Sequence, residues 1–182
     1  MTALPKQYAW LAAEPGPRIL TEFLKVFGTA EKVGPGSNPT ILQWAKTIGL
    51  EKVYRDDATA WCGLVMGYVA LQAGWDGAPK GNALWARNWA HWGNGVSIIA
   101  SAELGDVMVF PRGKCGHVGI YVGEDDSHYH ILGGNQSDAV NIRRKPKKPI
   151  IAVRRCPWRI NQPANVRRVF LEATGKPSID EA

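Results

Sequence analysis

Residues 59–73, TAWCGLVMGYVALQA, constrain this chain more than any other stretch. The run is apolar almost all round, and Gly74 follows it as a stop. A helix with no polar face has to be buried, so the rest of the chain is expected to wrap it. No run approaches the roughly 18 apolar residues that a membrane span needs, and Gln72 interrupts this one. The 182 residues, 45% hydrophobic and 21% charged, are enough for one domain with a real core.

The material around that helix changes character along the chain. Before and after it, apolar residues recur at helical spacing. Residues 18–27 place Ile19, Leu20, Phe23, Leu24 and Phe27 on one face, and residues 40–48 do the same with Ile41, Leu42, Ala45 and Ile48. A turn-rich stretch, GPGSNP at 34–39, separates them, and residues 82–92 read as a further short helix or helical loop. From residue 105 onward the pattern becomes short apolar runs between turns. Strands are predicted over 105–110, 117–122, 129–132, 140–143 and 150–154, an antiparallel meander of about five strands. The fold class is therefore α+β, with N-terminal helices packed on the sheet. Residues 1–158 read as the domain, and residues 159–182 as a peripheral tail with one short helix over 166–173.

The chain carries 22 basic and 16 acidic residues, a net charge of +6, which favours a polyanionic partner. Nucleic acid, anionic lipid and a bacterial wall polymer all qualify. The basic cluster Arg143, Arg144, Lys145, Lys147, Lys148, Arg154 and Arg155 is either the attracting patch or simply a solvated face. No nucleic-acid motif accompanies it, so nucleic acid is not expected as a partner. The opening MTALPKQYAWLAAEPG has one lysine and no sustained apolar core, unlike a signal peptide. Cys62, Cys115 and Cys156 are too few and too scattered for a disulfide framework, and no metal-ligand spacing occurs. No metal or other cofactor is expected.

Cys62 opens the apolar helix. A thiol in a helix's first turn meets unpaired N–H groups and the positive end of the dipole, which favour the thiolate. The alternative is a cysteine that only fills the core. His117 opens the strand GHVGIYVG, with Gly116 beside it, and would serve as general base to a nucleophilic Cys62. A third group should orient the imidazole. Asn135, in LGGNQS, is the first choice, His130 the competitor and Asp138 a weaker option. Trp61, Trp85, Trp89 and Trp92 crowd the same region. They either line a substrate groove or pack the core, and the spacing of the last three favours a core stripe. Trp61, Trp85 and Gln136 are the candidates for substrate contact.

The order Cys62, then GHVGIYVG, then LGGNQS resembles the papain-like CHAP and NlpC/P60 cysteine peptidoglycan hydrolases, of the group common in phages and prophages. The resemblance runs over residues 10–158. It includes GPGSNPTI at 34–41, Asp57-x-x-x-Trp61-Cys62, and LGDV at 104–107. It implies a papain-like fold and hydrolysis of an amide in the bacterial cell wall. Cys62 falls at the nucleophile and His117 at the base. Asn135 falls where CHAP-type members have a polar orienting residue, and NlpC/P60 members often use a histidine, which keeps His130 open. Ala60-Trp61-Cys62-Gly63 stands where related chains often read Pro-Trp-Cys-Ala, and Cys115 so close to His117 is unusual.

The implied partner is peptidoglycan, met by a monomer made in the cytoplasm and delivered to the wall without a signal peptide. Two other readings share the fold. One is a catalytically idle wall-binding or phage structural module. The other is a secreted antibacterial amidase toxin with an immunity protein.

Overall fold

A computed structural model describes residues 2–75, 79, 82–96, 102–158 and 161–173. Three α-helices precede an antiparallel six-stranded open sheet, so the chain is α+β. Helix α1 spans Arg18–Lys25 and buries Ile19, Leu20 and Phe23. Helix α2, Pro39–Thr47, begins where the Asn38 side chain accepts the Thr40 N–H and Pro39 supplies a preset first-turn φ. Helix α3, Cys62–Gln72, is the apolar helix, and Cys62 through Gly67, Val69 and Ala70 are all buried. Among the described residues no helix is long and apolar enough to cross a membrane.

The strands are β1 Asn94–Gly95, β2 Val107–Phe110, β3 His117–Glu124, β4 His128–Gly133, β5 Asn141–Pro146 and β6 Ala152–Arg155. Their order across the sheet is β1-β6-β2-β3-β4-β5. Alternation along β2 and β3 divides the apolar residues between two cores. Val107, Val109, Val118 and Ile120 join α1, α2 and α3 on one face, with Leu132 of β4. Met108, Phe110, Tyr121, Tyr129, Ile131 and Val153 form a smaller cluster on the other. β3 is buried at all eight positions, which is why its sequence reads as a near-continuous apolar run.

Four features depart from the sequence reading. A sixth, two-residue strand, Asn94–Gly95, pairs with β6. Residues 6–13 form a 3-10 helix where none was expected, while a second one at 86–91 lies within the short helix or helical loop expected over 82–92. The 3-10 repeat leaves Trp89 and Trp92 buried and turns Trp85 outward, 43% exposed, so the three do not share one buried stripe. The described tail up to residue 173 forms no helix. It runs extended beside the sheet, where Glu124 N–H donates to Val169 O and Leu171 N–H to Glu124 O. Arg168 adds an ion pair with the buried Glu124. Pairing to the end of β3 satisfies backbone groups that a short isolated helix would leave marginal.

Much of the basic cluster is neutralised within the fold. Arg144 is bound to Asp125, Lys147 to Glu124, and Arg155 to Asp106 and Glu103, while Arg154 donates to Trp92 O and Gly93 O.

The start of α3 is pressed against the segment at 83–84. A Cβ on Gly63 would run into Ala83 O and stand 2.7 Å from Leu84 O, both backbone atoms. The Gly63→Ala variant is therefore expected to lose about 1–3 kcal/mol of stability, read as a lower denaturant midpoint with an unchanged slope.

Candidate active site

The first turn of α3 and the first residues of β3 meet at the buried heart of the domain. Cys62 is 3% exposed and His117 is 1% exposed. Burial pushes the Cys62 thiol up from its ordinary value. Against that, the nearby backbone N–H groups of Val118, Gly63 and Cys62 and the Arg112 guanidinium favour its anion, but desolvation outweighs them. His117 is shifted in the complementary sense. Burial, then Lys145 and Arg112, hold its pKa well below the ordinary value, while Gln136 raises it. Both shifts favour the uncharged forms, a thiol and a neutral imidazole.

The residue that orients His117 is Gln136. His117 Nε2 lies 3.1 Å from Gln136 Oε1. The amide of Gln136 has only one sensible orientation. Its Nε2 donates to the carbonyls of Asn141 at 2.8 Å, Ile131 at 3.2 Å and Gly133 at 3.3 Å. An NH₂ group surrounded by acceptors fixes the other end as oxygen, and an oxygen facing His117 Nε2 requires that nitrogen to carry the proton. His117 is therefore the Nε2–H tautomer. Its Nδ1 is left with a lone pair, buried and without a hydrogen-bond partner among the described residues. An unpaired buried imidazole nitrogen of this kind is available as a base.

Asn135 is not in that position, which corrects the first choice from sequence. Its side chain donates to Glu31 Oε1 at 3.0 Å, and its carbonyl accepts from Arg112 at 3.4 Å. The reason is local backbone geometry. Asn135, Ser137 and Asp138 all have positive φ, 53°, 51° and 57°, so strand alternation does not apply in this loop and adjacent side chains diverge unpredictably. His130 is also absent from the site. Its Nδ1 pairs with Tyr8 Oη at 2.7 Å and its Nε2 with Asp125 at 2.9 Å, a separate buried network that fixes the N-terminal segment to β4. Asp138 lies exposed on the loop.

The substrate-contact candidates change accordingly. Gln136 is 2% exposed with its amide fully engaged, and Trp61 is fully buried with its indole N–H donating to Glu31 Oε1 at 2.6 Å. Neither presents a surface to a substrate. Trp85 is exposed. Sequence reasoning missed Glu31 and Arg112 altogether. Both stand in turns whose composition gives no pattern, and each reaches the site through one long side chain. Among the described residues no group of three or more His, Cys, Asp or Glu side chains is placed to hold a metal ion.

Comparison with protein-family models, with curated proteins and with solved structures returned no match to this chain. The site is therefore read from its own geometry.

Two outcomes follow from that geometry. Gln136→Ala removes the acceptor of the buried His117 Nε2–H. It should lower stability by about 1–3 kcal/mol and should let the imidazole exchange tautomers. Acidification should act through the histidines. His117 and His130 are both buried with depressed pKa values, so the unfolded chain binds protons near pH 6.5 that the folded chain does not. The stability they contribute is complete above pH 6.5 and falls as pH drops below it, by at most about 1.4 kcal/mol per pH unit for each histidine. Melts between pH 7 and 5 should show this slope, and His117→Asn should flatten it.

Proposed function

We propose that the protein is a cysteine amidohydrolase of the papain-like kind, acting on an amide of bacterial peptidoglycan. What carries the chemical half of this reading is the unpartnered Nδ1 of His117, held bare by Gln136 at the first residue of β3, with Cys62 buried at the first residue of α3. The wall substrate rests on the sequence resemblance around Cys62, GHVGIYVG and LGGNQS.

Since both shifts favour the uncharged thiol and imidazole, Cys62 loses its proton to His117 Nδ1 as the sulfur attacks the carbonyl carbon. The new imidazolium keeps its Nε2–H on Gln136 Oε1, an acceptor that becomes stronger as charge develops. The tetrahedral oxygen is received by backbone N–H groups at the start of α3, Cys62 among them. His117 then gives the proton to the departing amine. It takes another from water, which releases the acyl group from sulfur. Arg112 disfavours the imidazolium and favours the thiolate, so it drives the proton onward to the leaving group.

The burial of Cys62, 3% exposed, favours one rival: an idle module in which it is a packing residue. A digest of purified peptidoglycan by the wild type and by Cys62→Ala, with products weighed by mass spectrometry, separates the two. The proposal expects fragments from the wild type only, and their masses identify amidase or endopeptidase. Fragments from neither protein, on walls of several chemotypes, would leave the idle module.

A further inference from the structure

Gln136 can orient His117 only if the loop that carries it stays in register with the Cys62 helix. No strand pairing joins these two pieces directly, because the loop at 134–140 lies beyond the end of β4. A third segment makes the connection. The turn after α1 runs alongside the loop. Gly28 N–H donates to Val140 O, Val140 N–H to Thr29 O, and Glu31 N–H to Asp138 O. That pairing presents the Glu31 carboxylate to both sides of the site.

One oxygen, Glu31 Oε1, accepts the indole N–H of Trp61 at 2.6 Å and the side-chain amide of Asn135 at 3.0 Å. Trp61 immediately precedes Cys62, and Asn135 immediately precedes Gln136. Each of the two site-forming segments is thus tied to the same atom through the residue next to its working side chain. The contact between them is close. A Cβ on Gly134 would stand 2.6 Å from the Trp61 ring, so the loop's backbone lies directly on the indole. The backbone carbonyl of Asn135 accepts from Arg112 as well, so both its side chain and its main chain are held.

We infer that Glu31 is a positioning residue. It clasps the Cys62 segment to the Gln136 loop and so sets His117 in line with the thiol. The inference rests on the Cys–His reading of the site for its kinetic consequence, though not for its structural one. Oε1 is an acceptor in both interactions, so its oxygen is what matters and a neutral amide oxygen supplies the same two bonds. Loss of the clasp lets the loop drift without touching the substrate surface. The effect should fall on the reaction step, where a misplacement of about 1 Å costs up to roughly 100-fold.

The test compares Glu31→Ala, Glu31→Gln, Asn135→Gly and the double variant Glu31→Ala/Asn135→Gly. Glycine is chosen at 135 because it accepts the positive φ without strain. Two readouts are taken: kcat and KM on the wall substrate, and the His117 ring-nitrogen signals by ¹⁵N NMR. The inference expects Glu31→Ala to lose about 10- to 100-fold in kcat with KM unchanged, and to show mixed His117 tautomers. Glu31→Gln should stay near wild type on both readouts. The double variant should be little worse than either single one, as for two ends of one connection. If Glu31→Ala does not fold, Asn135→Gly carries the same expectation alone.

Wild-type kcat in Glu31→Ala, a Gln variant as poor as the Ala variant, or multiplied losses in the double variant would overturn it. A wild type with no wall activity would refute the proposed function. The tautomer comparison then decides the clasp by itself: an unchanged His117 spectrum in Glu31→Ala overturns it, and mixed tautomers support it.

Discussion

The side-chain amide of Gln136 is the interaction on which the site depends. Its NH₂ group is surrounded by main-chain carbonyls of Ile131, Gly133 and Asn141, so its oxygen has one direction left, toward His117. That choice propagates. It fixes the proton on His117 Nε2, leaves Nδ1 bare, and so decides which ring nitrogen can act as a base. A carboxylate in the same place would have to sit among those carbonyls with no donor to offer them. An asparagine would be one methylene short. The strands β4 and β5 thus do more than frame the site, because their carbonyls orient the group that orients the base.

A second consequence concerns charge. Many thiol–imidazole pairs gain reactivity from a preformed ion pair. Here desolvation opposes charge on both partners, and the Arg112 guanidinium adds a penalty for protonated His117. The arrangement suits a proton transfer that occurs during attack. It also means that a substrate has to reach Cys62, which the folded chain covers almost completely.

The sequence made the large elements legible and the small ones not. The run at 59–73 announced a buried helix because apolar residues on every side of a 3.6-residue repeat have no other stable placement. The register of α1 and α2 followed from the same period. β2 to β6 were visible as apolar runs between turns, within a few residues at each end. The tail was misread as a helix because Val166–Ala173 has the right composition, whereas pairing with β3, a non-local term, decides its form. The site divides along the same line. Cys62 and His117 each stand at the first residue of a strongly patterned element, so their placement came with it. Gln136 stood out only as a substrate contact beside its neighbour Asn135, whose expected orienting role the structure gives to Gln136. In a loop with three positive-φ residues no period tells which of two adjacent amides turns inward. Glu31 lies about a hundred residues from Asn135 in sequence, and only the folded turn brings them together.

The tautomer of His117 in the wild-type protein tests this account most directly. A ¹⁵N-resolved NMR spectrum of the imidazole at neutral pH should show Nε2 protonated and Nδ1 with the shift of a bare nitrogen, in a single neutral form. A proton on Nδ1, or an imidazolium at that pH, would contradict the orientation assigned to Gln136 and with it the role given to His117.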